Sequence, residues 1–479
     1  MTYYIDPFGC AKNQVDAENM MAFLDKDGWS AAENPENADL IIVNSCAFIE
    51  SAKKESINAV LSWRKFYPDK KILLAGCLTQ RYAAELSETL TEADGFFGAG
   101  NLSGIADAAE KTMASTSGMP KQTPEETPGK TPAENSPLRK APILQPGKRP
   151  LLSMPGSAYV KISEGCDNCC SFCAIPLIRG KLKSRNILDV VDECKILLER
   201  GVKEVCLIGQ DTGSYGKDFS AARAGFNSAG SGLPGLMKAL SRLEGNFRVR
   251  LLYIHPDNFP LPILDIMEQD KRFLPYFDIP FQHGSDKILK AMNRRSTTLS
   301  YLNLIETIRS RFDDAIIRST LMTGFPGETG EDFAQLLDFQ KKASLDWLGC
   351  FAYSREENTP AYEMKNRVAK KIAVERKRLV EEQQIPITEK RMDRFIGRTF
   401  EVLVEEKFAP PENDPVSGKT AYNEPSSAET GLYLGRLPCQ APEVDGAAVI
   451  LSPKPLETGE MVPCRVIARR GFDLEVRPL

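Results

Sequence analysis

The sequence predicts an α/β protein in three parts: an N-terminal domain with a parallel sheet, an incomplete barrel of six strand–helix units, and a small all-β barrel at the C-terminus. Three observations support this prediction. Apolar runs alternate with helical patterns over residues 1–110, and a strand–helix alternation repeats six times within residues 151–394. Short alternating strand patterns, typical of small β-barrels, fill residues 395–479.

The composition is that of an ordinary globular protein and argues against several classes. Of the 479 residues, 42% are hydrophobic and 26% are charged, and the net charge of −4 argues against a general binder of polyanions. The N-terminus lacks a basic region followed by an apolar segment, and no apolar run approaches membrane-spanning length. The 12 cysteines are expected to be reduced thiols and metal ligands. Together these features predict a cytoplasmic protein with no membrane partner.

Three apolar runs in the N-terminal domain each end in a cysteine, namely Cys10, Cys46 and Cys77. Helical patterns lie between these runs, so the runs are predicted to be strands of a parallel sheet. The carboxyl ends of parallel strands meet at one edge of their sheet. A single cysteine in this setting is more often a buried core thiol, but three of them predict a shared metal site.

Residues 111–150 are predicted to be an extended, Pro-rich linker. This segment carries a proline every four or five positions and no aromatic residue, so it cannot bury a core. Its mixed charges could contact nucleic acid, but the solvation of a linker accounts for them more simply.

The central part is predicted to be a partial (β/α) barrel with its chemistry at the carboxyl ends of the strands. Six strands are expected, at residues 158–163, 204–210, 248–254, 276–282, 315–324 and 347–353. Helices are expected between these strands and in a charged stretch at 367–392 that presents its polar residues to solvent. A Gly/Ser/Ala-rich tract at 220–231 predicts a surface loop.

A cysteine motif with the spacing C-x3-C-x2-C follows the first of these strands and consists of Cys166, Cys170 and Cys173. Three thiolates on one loop can ligate three irons of a 4Fe–4S cube and leave the fourth iron open to the amino and carboxylate groups of S-adenosylmethionine (SAM). A zinc site would need four closed ligands, and a disulfide framework fits less well. Phe172 fits the radical-SAM signature, and Cys169 is interpreted as a bystander.

Further motifs occur in order along the chain, and through them it resembles the radical-SAM methylthiotransferases over nearly its whole length. The matching segments are Gly9-Cys10-Ala11-Lys12-Asn13, Asn44-Ser45-Cys46, Gly76-Cys77-Leu78-Thr79-Gln80, Ala174-Ile175-Pro176, Asp278-Ile279-Pro280-Phe281-Gln282-His283 and Thr323-Gly324-Phe325-Pro326-Gly327-Glu328-Thr329. The resemblance implies an N-terminal cluster domain, a six-unit radical-SAM barrel and a C-terminal TRAM β-barrel. The linker and an insertion between residues 408 and 430 are longer than the family pattern leads us to expect.

The resemblance also implies the cofactors and the reaction. Each of two 4Fe–4S clusters would be held by one set of three cysteines: Cys10, Cys46 and Cys77 for the first, and Cys166, Cys170 and Cys173 for the second. Such enzymes split SAM reductively, with an electron from a donor such as flavodoxin or ferredoxin, and the resulting radical abstracts hydrogen from an unactivated C–H bond. The N-terminal cluster would present the sulfur, and a second SAM would supply the methyl group.

Within this family one branch modifies the β-carbon of an aspartate in small-subunit ribosomal protein 12, whereas others modify adenosine 37 of tRNA. Three segments resemble the protein-modifying branch: Gln210-Asp211-Thr212, residues 351–361 and residues 441–446. Residues 396–479 carry 9 Lys and Arg against 13 Asp and Glu, a balance that suits a basic protein better than a phosphate backbone. The ribosomal protein is therefore the predicted substrate, and tRNA is the alternative.

Three polar residues near the predicted strand ends are candidate SAM contacts: Gln210, Gln282 and Arg318. A guanidinium group can pair with the SAM carboxylate, and an amide can fix its amino group or the ribose. Arg318 can instead pair with a core carboxylate, and Gln210 can cap the following turn. His283 is also placed at a strand end, where a lone histidine is more often structural than catalytic.

Overall fold

The structure is a computed structural model that describes residues 1–115, 148–219, 231–408 and 431–479. Residues 116–147 of the predicted linker, residues 220–230 of the predicted surface loop and residues 409–430 of the insertion lie outside these described residues. Among the helices of the described ranges, none is long and apolar enough to cross a bilayer. The cytoplasmic location stays a prediction.

The N-terminal domain is a parallel five-stranded sheet covered by helices on both faces. In sheet order its strands are β2 (Ser30–Ala31), β1 (Thr2–Pro7), β3 (Leu40–Ser45), β4 (Lys71–Gly76) and β5 (Gly95–Gly98). Its helices are α1 (Ala11–Lys26), α2 (Glu50–Phe66), α3 (Cys77–Thr89) and α4 (Ile105–Ala114). Alternate strand residues pack against α1 and α4 on one face and against α2 and α3 on the other. Every residue of β3 is therefore buried, which explains its continuous apolar run.

The central domain contains a parallel sheet of six strands in sequence order, which confirms the predicted partial barrel. The strands of this domain are β6 (Ser157–Lys161), the short β7 (Ser163–Glu164) and β8 (Lys183–Ser184), which pair only with each other, and β9 (Glu204–Ile208), β10 (Arg248–Leu251), β11 (Phe273–Asp278), β12 (Ile316–Thr323) and β13 (Trp347–Ala352). All six predicted strands are present, although several end earlier than predicted.

The helices of the central domain follow its strands as the sequence pattern predicts, although no range was predicted for α5 or α7. They are α5 (Ile175–Arg179), α6 (Ile187–Glu199), α7 (Gly232–Leu240), α8 (Pro262–Gln269), α9 (Asp286–Ala291), α10 (Thr298–Arg311), α11 (Gly330–Ala343) and α12 (Lys370–Asp393). The position of helix α7 was not located from the sequence, because its first turn contains Gly232, Pro234 and Gly235, residues that are typical of loops.

The C-terminal domain is a closed barrel of five strands, which confirms the predicted small all-β barrel. Its strands are β14 (Thr399–Phe408), β15 (Gly431–Arg436), β16 (Ala448–Ser452), β17 (Met461–Arg470) and β18 (Asp473–Pro478). Pairing of β14 with both β15 and β17 closes the barrel, so no strand edge is left open in this order.

The inner face of the central sheet is filled by its two neighbouring domains. Each of the six strands or the residue that follows it contributes to one apolar cluster, through Tyr159, Cys206, Leu252, Tyr276, Ile316 and Trp347. The same cluster contains Ala11 and Val15 of α1 and side chains of the C-terminal barrel, such as Tyr433. Because a partial barrel lacks the strands that would complete its own core, these contacts replace them.

Both described ends of the segment predicted as a linker are attached to the folded domains. At its N-terminal end, Lys71 donates to the Ser115 carbonyl at 2.7 Å. At its C-terminal end, the buried Arg149 pairs with Glu18 of α1 at 2.7 Å and with Glu193 of α6. Arg149 therefore joins the N-terminal domain to the central one at the point where the chain enters the barrel.

The junction between the central and C-terminal barrels contains a fully buried carboxylate, Glu204, at the start of β9. Three guanidinium groups pair with it: Arg248 at 2.5 Å, Arg250 at 3.0 Å, and Arg436 of β15. Burial opposes ionisation of this carboxyl, but the arginines, with Arg250 the strongest, hold the pKa of Glu204 well below its ordinary value. A single carboxylate thus balances several charges across the domain boundary.

Replacement of Glu204 by Gln is expected to destabilise the protein by about 3–5 kcal/mol, because three buried guanidinium groups lose a shared counter-charge. Urea unfolding followed by circular dichroism measures this change. The control is Glu382→Gln, which removes a solvent-exposed partner of Arg378 and should leave the unfolding midpoint unchanged. Equal midpoints for E204Q and the wild type would contradict the role assigned to Glu204.

A second buried carboxylate, Asp445, extends from the C-terminal barrel to the central one. It accepts hydrogen bonds from the Tyr276 hydroxyl at 2.6 Å and from the Ala441 amide at 2.7 Å, and it lies 3.7 Å from the Arg318 guanidinium. Burial raises the pKa of Asp445 to about 6, although Arg318 and, more weakly, Arg250 oppose the shift. Asp445 lies in the 441–446 segment, so this motif has a part in docking the two barrels.

The raised pKa of Asp445 predicts a pH-dependent contribution to stability. The folded protein keeps this proton up to about pH 6, whereas the unfolded chain releases it near the ordinary value of 3.8, so stability from this group is lost as pH rises through that window. Between about pH 5 and about pH 7.5, the unfolding free energy of the wild type should fall by about 1 kcal/mol more than that of Asp445→Asn. An equal change in unfolding free energy between the two pH values for both proteins would contradict the prediction.

Candidate functional site

The three cysteines of the N-terminal domain lie at one edge of its sheet. Cys10 and Cys46 follow β1 and β3, and Cys77 follows β4 directly as the first residue of α3. These three strands are neighbours in the sheet. Burial raises the pKa of Cys77 to about 12, and the nearby thiols of Cys46 and Cys10 add to the rise. The structure therefore brings the three predicted ligands together.

Two asparagines hold the loops of these cysteines against one another. The Asn13 amide donates to the Phe8 carbonyl at 3.0 Å and to the Ser45 carbonyl at 2.8 Å, and the Asn44 amide donates to the Asn13 carbonyl at 2.7 Å. Gly76, just before Cys77, has a φ of +95°, and a Cβ there would lie 2.5 Å from the Asn44 side chain. A tight turn that only glycine adopts easily thus places Cys77 beside its neighbours.

The second set of cysteines lies on the loop between β7 and α5. Burial raises the pKa of Cys166 to about 11 and that of Cys173 to about 12, and the thiol of Cys170 contributes to both shifts. The Asn168 amide donates to the Cys166 sulfur at 3.3 Å, and His255 Nε2 lies 3.7 Å from the Cys170 sulfur. The three thiols of the C-x3-C-x2-C motif therefore also share one site.

Asp211 organises this second loop, a role that was not predicted for it. Its carboxylate accepts hydrogen bonds from Asn168 at 2.8 Å, from Asn258 at 2.7 Å and from the His255 amide at 3.0 Å. The residue is almost fully buried. Asp211 belongs to the Gln210-Asp211-Thr212 motif, which the sequence analysis used only to predict the substrate. The motif could also have indicated this structural role.

Both sets of thiols fit the metal clusters that the sequence implies. In each set, three sulfur atoms converge from a loop or from adjacent strand ends. Burial raises the pKa of Cys77 and of Cys173, so these two thiols stay protonated until a metal charge ionises them. No group of three His, Cys, Asp or Glu side chains in the described ranges is arranged to hold one metal ion. A 4Fe–4S cluster binds each thiolate through a different iron, so its ligands are spread more widely than those of a single ion.

Arg179, at the end of α5, connects the two sets of cysteines. It lies six positions beyond Cys173, and its guanidinium donates to the Cys77 sulfur at 3.0 Å and to Asn13 Oδ1 at 2.6 Å. It also pairs with Asp16 of α1 at 2.5 Å, and Lys161 of β6 pairs with the same carboxylate. The carboxyl ends of the two parallel sheets therefore face each other across one interface.

Lys12 and Tyr253 lie in this interface. Lys12 belongs to the first turn of α1, and its Nζ lies 2.9 Å from the centroid of the Tyr253 ring. Burial lowers the pKa of Lys12 to about 8, although the nearby Cys10 and Asp278 oppose the shift. Tyr253 follows β10 with a φ of +63°, a left-handed conformation that is uncommon for a non-glycine residue and is often found at functional sites.

The three predicted SAM contacts occupy different surroundings. Gln210 donates to Glu164 at 2.8 Å, near the first strand of the barrel. Gln282 follows β11 with a φ of +70°, and its side-chain oxygen has no hydrogen-bond partner among the described residues. Arg318 is the third residue of β12 and pairs with Asp278 at 3.0 Å and with Asp445. A role in binding SAM stays a prediction for all three residues.

Two further motif residues make structural contacts, Glu356 across a domain boundary and His283 within the central domain. Glu356, on the segment after β13, pairs with Lys53 of α2 at 2.9 Å and with Arg81 of α3 at 2.6 Å. His283 is completely buried, and its Nε2 lies 3.5 Å from Glu328, which supports the structural interpretation. Each of these residues is far in sequence from its partner. The only indication of the pairing in the sequence is that both partners lie in motifs of the same chain.

Family comparisons divide the chain as the structure does. Residues 2–98 match the Uncharacterized protein family UPF0004, residues 160–339 match the Radical SAM superfamily, and residues 396–478 match the TRAM domain. The radical S-adenosylmethionine methyltransferase TsrM of Kitasatospora setae shares the fold, with a TM-score of 0.54 at 15% identity over 75% of this chain and 73% of its own. The partial barrel, its cysteine loop and these matches define a radical SAM enzyme.

Relatives that match the whole chain identify its family within the radical SAM enzymes. Ribosomal protein uS12 methylthiotransferase RimO of Treponema denticola is 46% identical over 98% of this chain and 99% of its own length. The corresponding RimO of Thermosipho africanus is 36% identical over 99% of both chains. This chain belongs to the RimO family of radical SAM methylthiotransferases, and its cofactors are SAM and two 4Fe–4S clusters.

Proposed function

We propose that this enzyme transfers a methylthio group to the β-carbon of an aspartate in ribosomal protein uS12, the small-subunit protein 12. The observation that carries the proposal is the facing arrangement of two cysteine sets, which Arg179 connects directly to Cys77. The names of the relatives supply the target protein. The acidic balance of residues 396–479 supports a basic protein substrate over tRNA, which is the alternative.

The six cysteines are assigned to two clusters by this proposal. Cys166, Cys170 and Cys173 hold the cluster that binds SAM, and Cys10, Cys46 and Cys77 hold the cluster that provides sulfur. When bound, these groups supply a radical able to abstract hydrogen from an unactivated carbon, together with the sulfur and methyl group that replace it. Reductive cleavage of SAM requires one electron, so an electron donor of the flavodoxin or ferredoxin class is a further partner.

The protein itself positions the two cysteine sets and excludes water from the interface between them. Asp211 and Asn168 fix the loop of Cys166, while Asn13 and Arg179 fix Cys77 against it. The apolar packing of α1 against the inner face of the barrel closes the interface between the two sets. A reactive radical formed there is kept from bulk solvent, which prevents side reactions.

Mass spectrometry of small-subunit proteins and of tRNA nucleosides, from cells with and without this gene, tests the substrate. We expect uS12 to lose a methylthio group in the deletion strain while the tRNA nucleosides are unchanged. Re-expression of the gene should restore the modification. The opposite result would be a deletion strain that loses methylthio-adenosine from its tRNA, together with uS12 that is unmodified in both strains. That result would identify tRNA, and not the ribosomal protein, as the substrate.

Cysteine variants separate the two proposed clusters. Cys166→Ala should abolish the formation of 5′-deoxyadenosine and of product, because SAM loses its iron site. Cys46→Ala should retain 5′-deoxyadenosine formation but yield no methylthio product. Cys169→Ala, a change at the neighbouring exposed thiol, is the matched control and should retain both activities. Full sulfur insertion by the Cys46 variant would overturn the two-cluster assignment.

A further inference from the structure

The position of Lys12 connects the two halves of the site. It lies two residues after Cys10 on the first turn of α1. The same turn packs Ala11 against the inner face of the central barrel. Its ammonium group lies over the ring of Tyr253, the residue that follows β10 by two positions. Lys12 is therefore a residue of the N-terminal domain whose charged end reaches the strand ends of the central domain.

The other cations of this interface already have carboxylate partners. Lys161 pairs with Asp16 and Glu164, and Arg179 pairs with the same two carboxylates. Farther along the sheet, Arg318 pairs with Asp278 and Asp445. Each of these ion pairs spans two elements of the structure, so the acidic groups that line the interface are occupied.

Lys12 differs from these cations. It is 8% exposed, and within the described residues its Nζ has neither a carboxylate at ion-pair distance nor a hydrogen-bond acceptor. The acidic groups that influence it are Cys10, a ligand assigned to the N-terminal cluster, and two carboxylates, Asp278 and Glu164. These two carboxylates are engaged by Arg318 and Lys161. A buried ammonium without a carboxylate partner is costly, and the face of an aromatic ring offsets only part of that cost.

We infer that Lys12 binds the side-chain carboxylate of the substrate aspartate and thereby places its β-carbon between the two sets of cysteines. The inference rests on the proposed function, because it takes an aspartate as the substrate. In that residue the carboxylate is bonded directly to the carbon that reacts, so a fixed carboxylate leaves the β-carbon little freedom. The Tyr253 ring holds the ammonium in place when no substrate is bound.

This role makes Lys12 a determinant of specificity for a charged side chain. Asparagine has nearly the same shape as aspartate but lacks the negative charge. A buried cation should therefore discriminate between them, whereas a residue that only supports the fold should affect both alike.

A binding experiment with reconstituted enzyme, SAM and peptides of uS12 isolates this effect from the chemistry. The two peptides carry Asp or Asn at the modified position, and fluorescence anisotropy gives their dissociation constants. The wild type should bind the Asp peptide at least about tenfold more tightly than the Asn peptide, and Lys12→Met should reduce this ratio to within about threefold. Iron content and the visible spectrum of the variant confirm that both clusters are present.

Two further variants serve as controls. Lys12→Arg keeps the charge and should retain a preference for the Asp peptide, although the planar guanidinium will not reproduce the full affinity. Lys26→Met removes an exposed lysine at the other end of the same helix and should leave both dissociation constants unchanged.

Three results would overturn the inference. Equal loss of affinity for both peptides in K12M would show a structural role. A rise in the SAM concentration needed for 5′-deoxyadenosine formation without peptide would place Lys12 in the SAM site instead. A wild-type enzyme that leaves uS12 unmodified would overturn the proposed function itself, a failure that mass spectrometry reveals independently of Lys12.

Discussion

The hydrogen bonds of one guanidinium group define the geometry on which this enzyme depends. Arg179 belongs to the barrel, yet three of its contacts, with Cys77, Asn13 and Asp16, lie in the N-terminal domain. Transfer of sulfur from one cluster to a substrate activated at the other requires that the distance and orientation between the two clusters stay constant during the reaction. A rigid, planar donor that binds a sulfur, an amide oxygen and a carboxylate together fixes both quantities better than apolar packing alone, because its bonds are directional.

Charges of both signs are buried at each domain boundary. Glu18, Glu204, Glu356 and Asp445 each pair with cations from another part of the chain. Such pairs add little stability beyond that of apolar packing, but an incorrect arrangement that separates them leaves uncompensated charge. The consequence here is specificity of docking: three domains with apolar contact surfaces can pack in many ways, and an arrangement that separates these four carboxylates from their cations is disfavoured.

Local patterns in the sequence predicted the fold and the convergence of the cysteines. Each N-terminal cysteine follows a continuous apolar run, and a doubly covered parallel strand produces such a run. The six barrel strands were found in the same way. Helix α7 was missed because Gly232 and Pro234 indicate a loop when read locally, whereas tertiary packing buries Leu233 and Leu236 and stabilises the helix.

Contacts between distant segments were beyond the reach of local patterns. Lys53 and Glu356 lie 303 positions apart, and nothing near either residue identifies its partner. The same limit applies to Arg318, whose ion pairs depend on strand register with Asp278 and on a loop of another domain. The surroundings of Lys12 are also a property of the three-dimensional structure, since the sequence shows a lysine in a motif but not that, in the described ranges, no carboxylate lies at ion-pair distance from it.

Both ends of the linker are attached to folded domains, which determines where the chain tolerates changes in length. Ser115 is held by Lys71, and Arg149 is held by both domains that flank it. For a linker of the kind that the sequence predicts between these residues, the free energy of loop closure grows only slowly, by about 0.6 kcal/mol for each doubling of length. Insertions and deletions between these two anchors therefore cost the fold little. The intervening segment is free to vary in evolution, or to accept an inserted tag, while the paired cysteine sets stay in place.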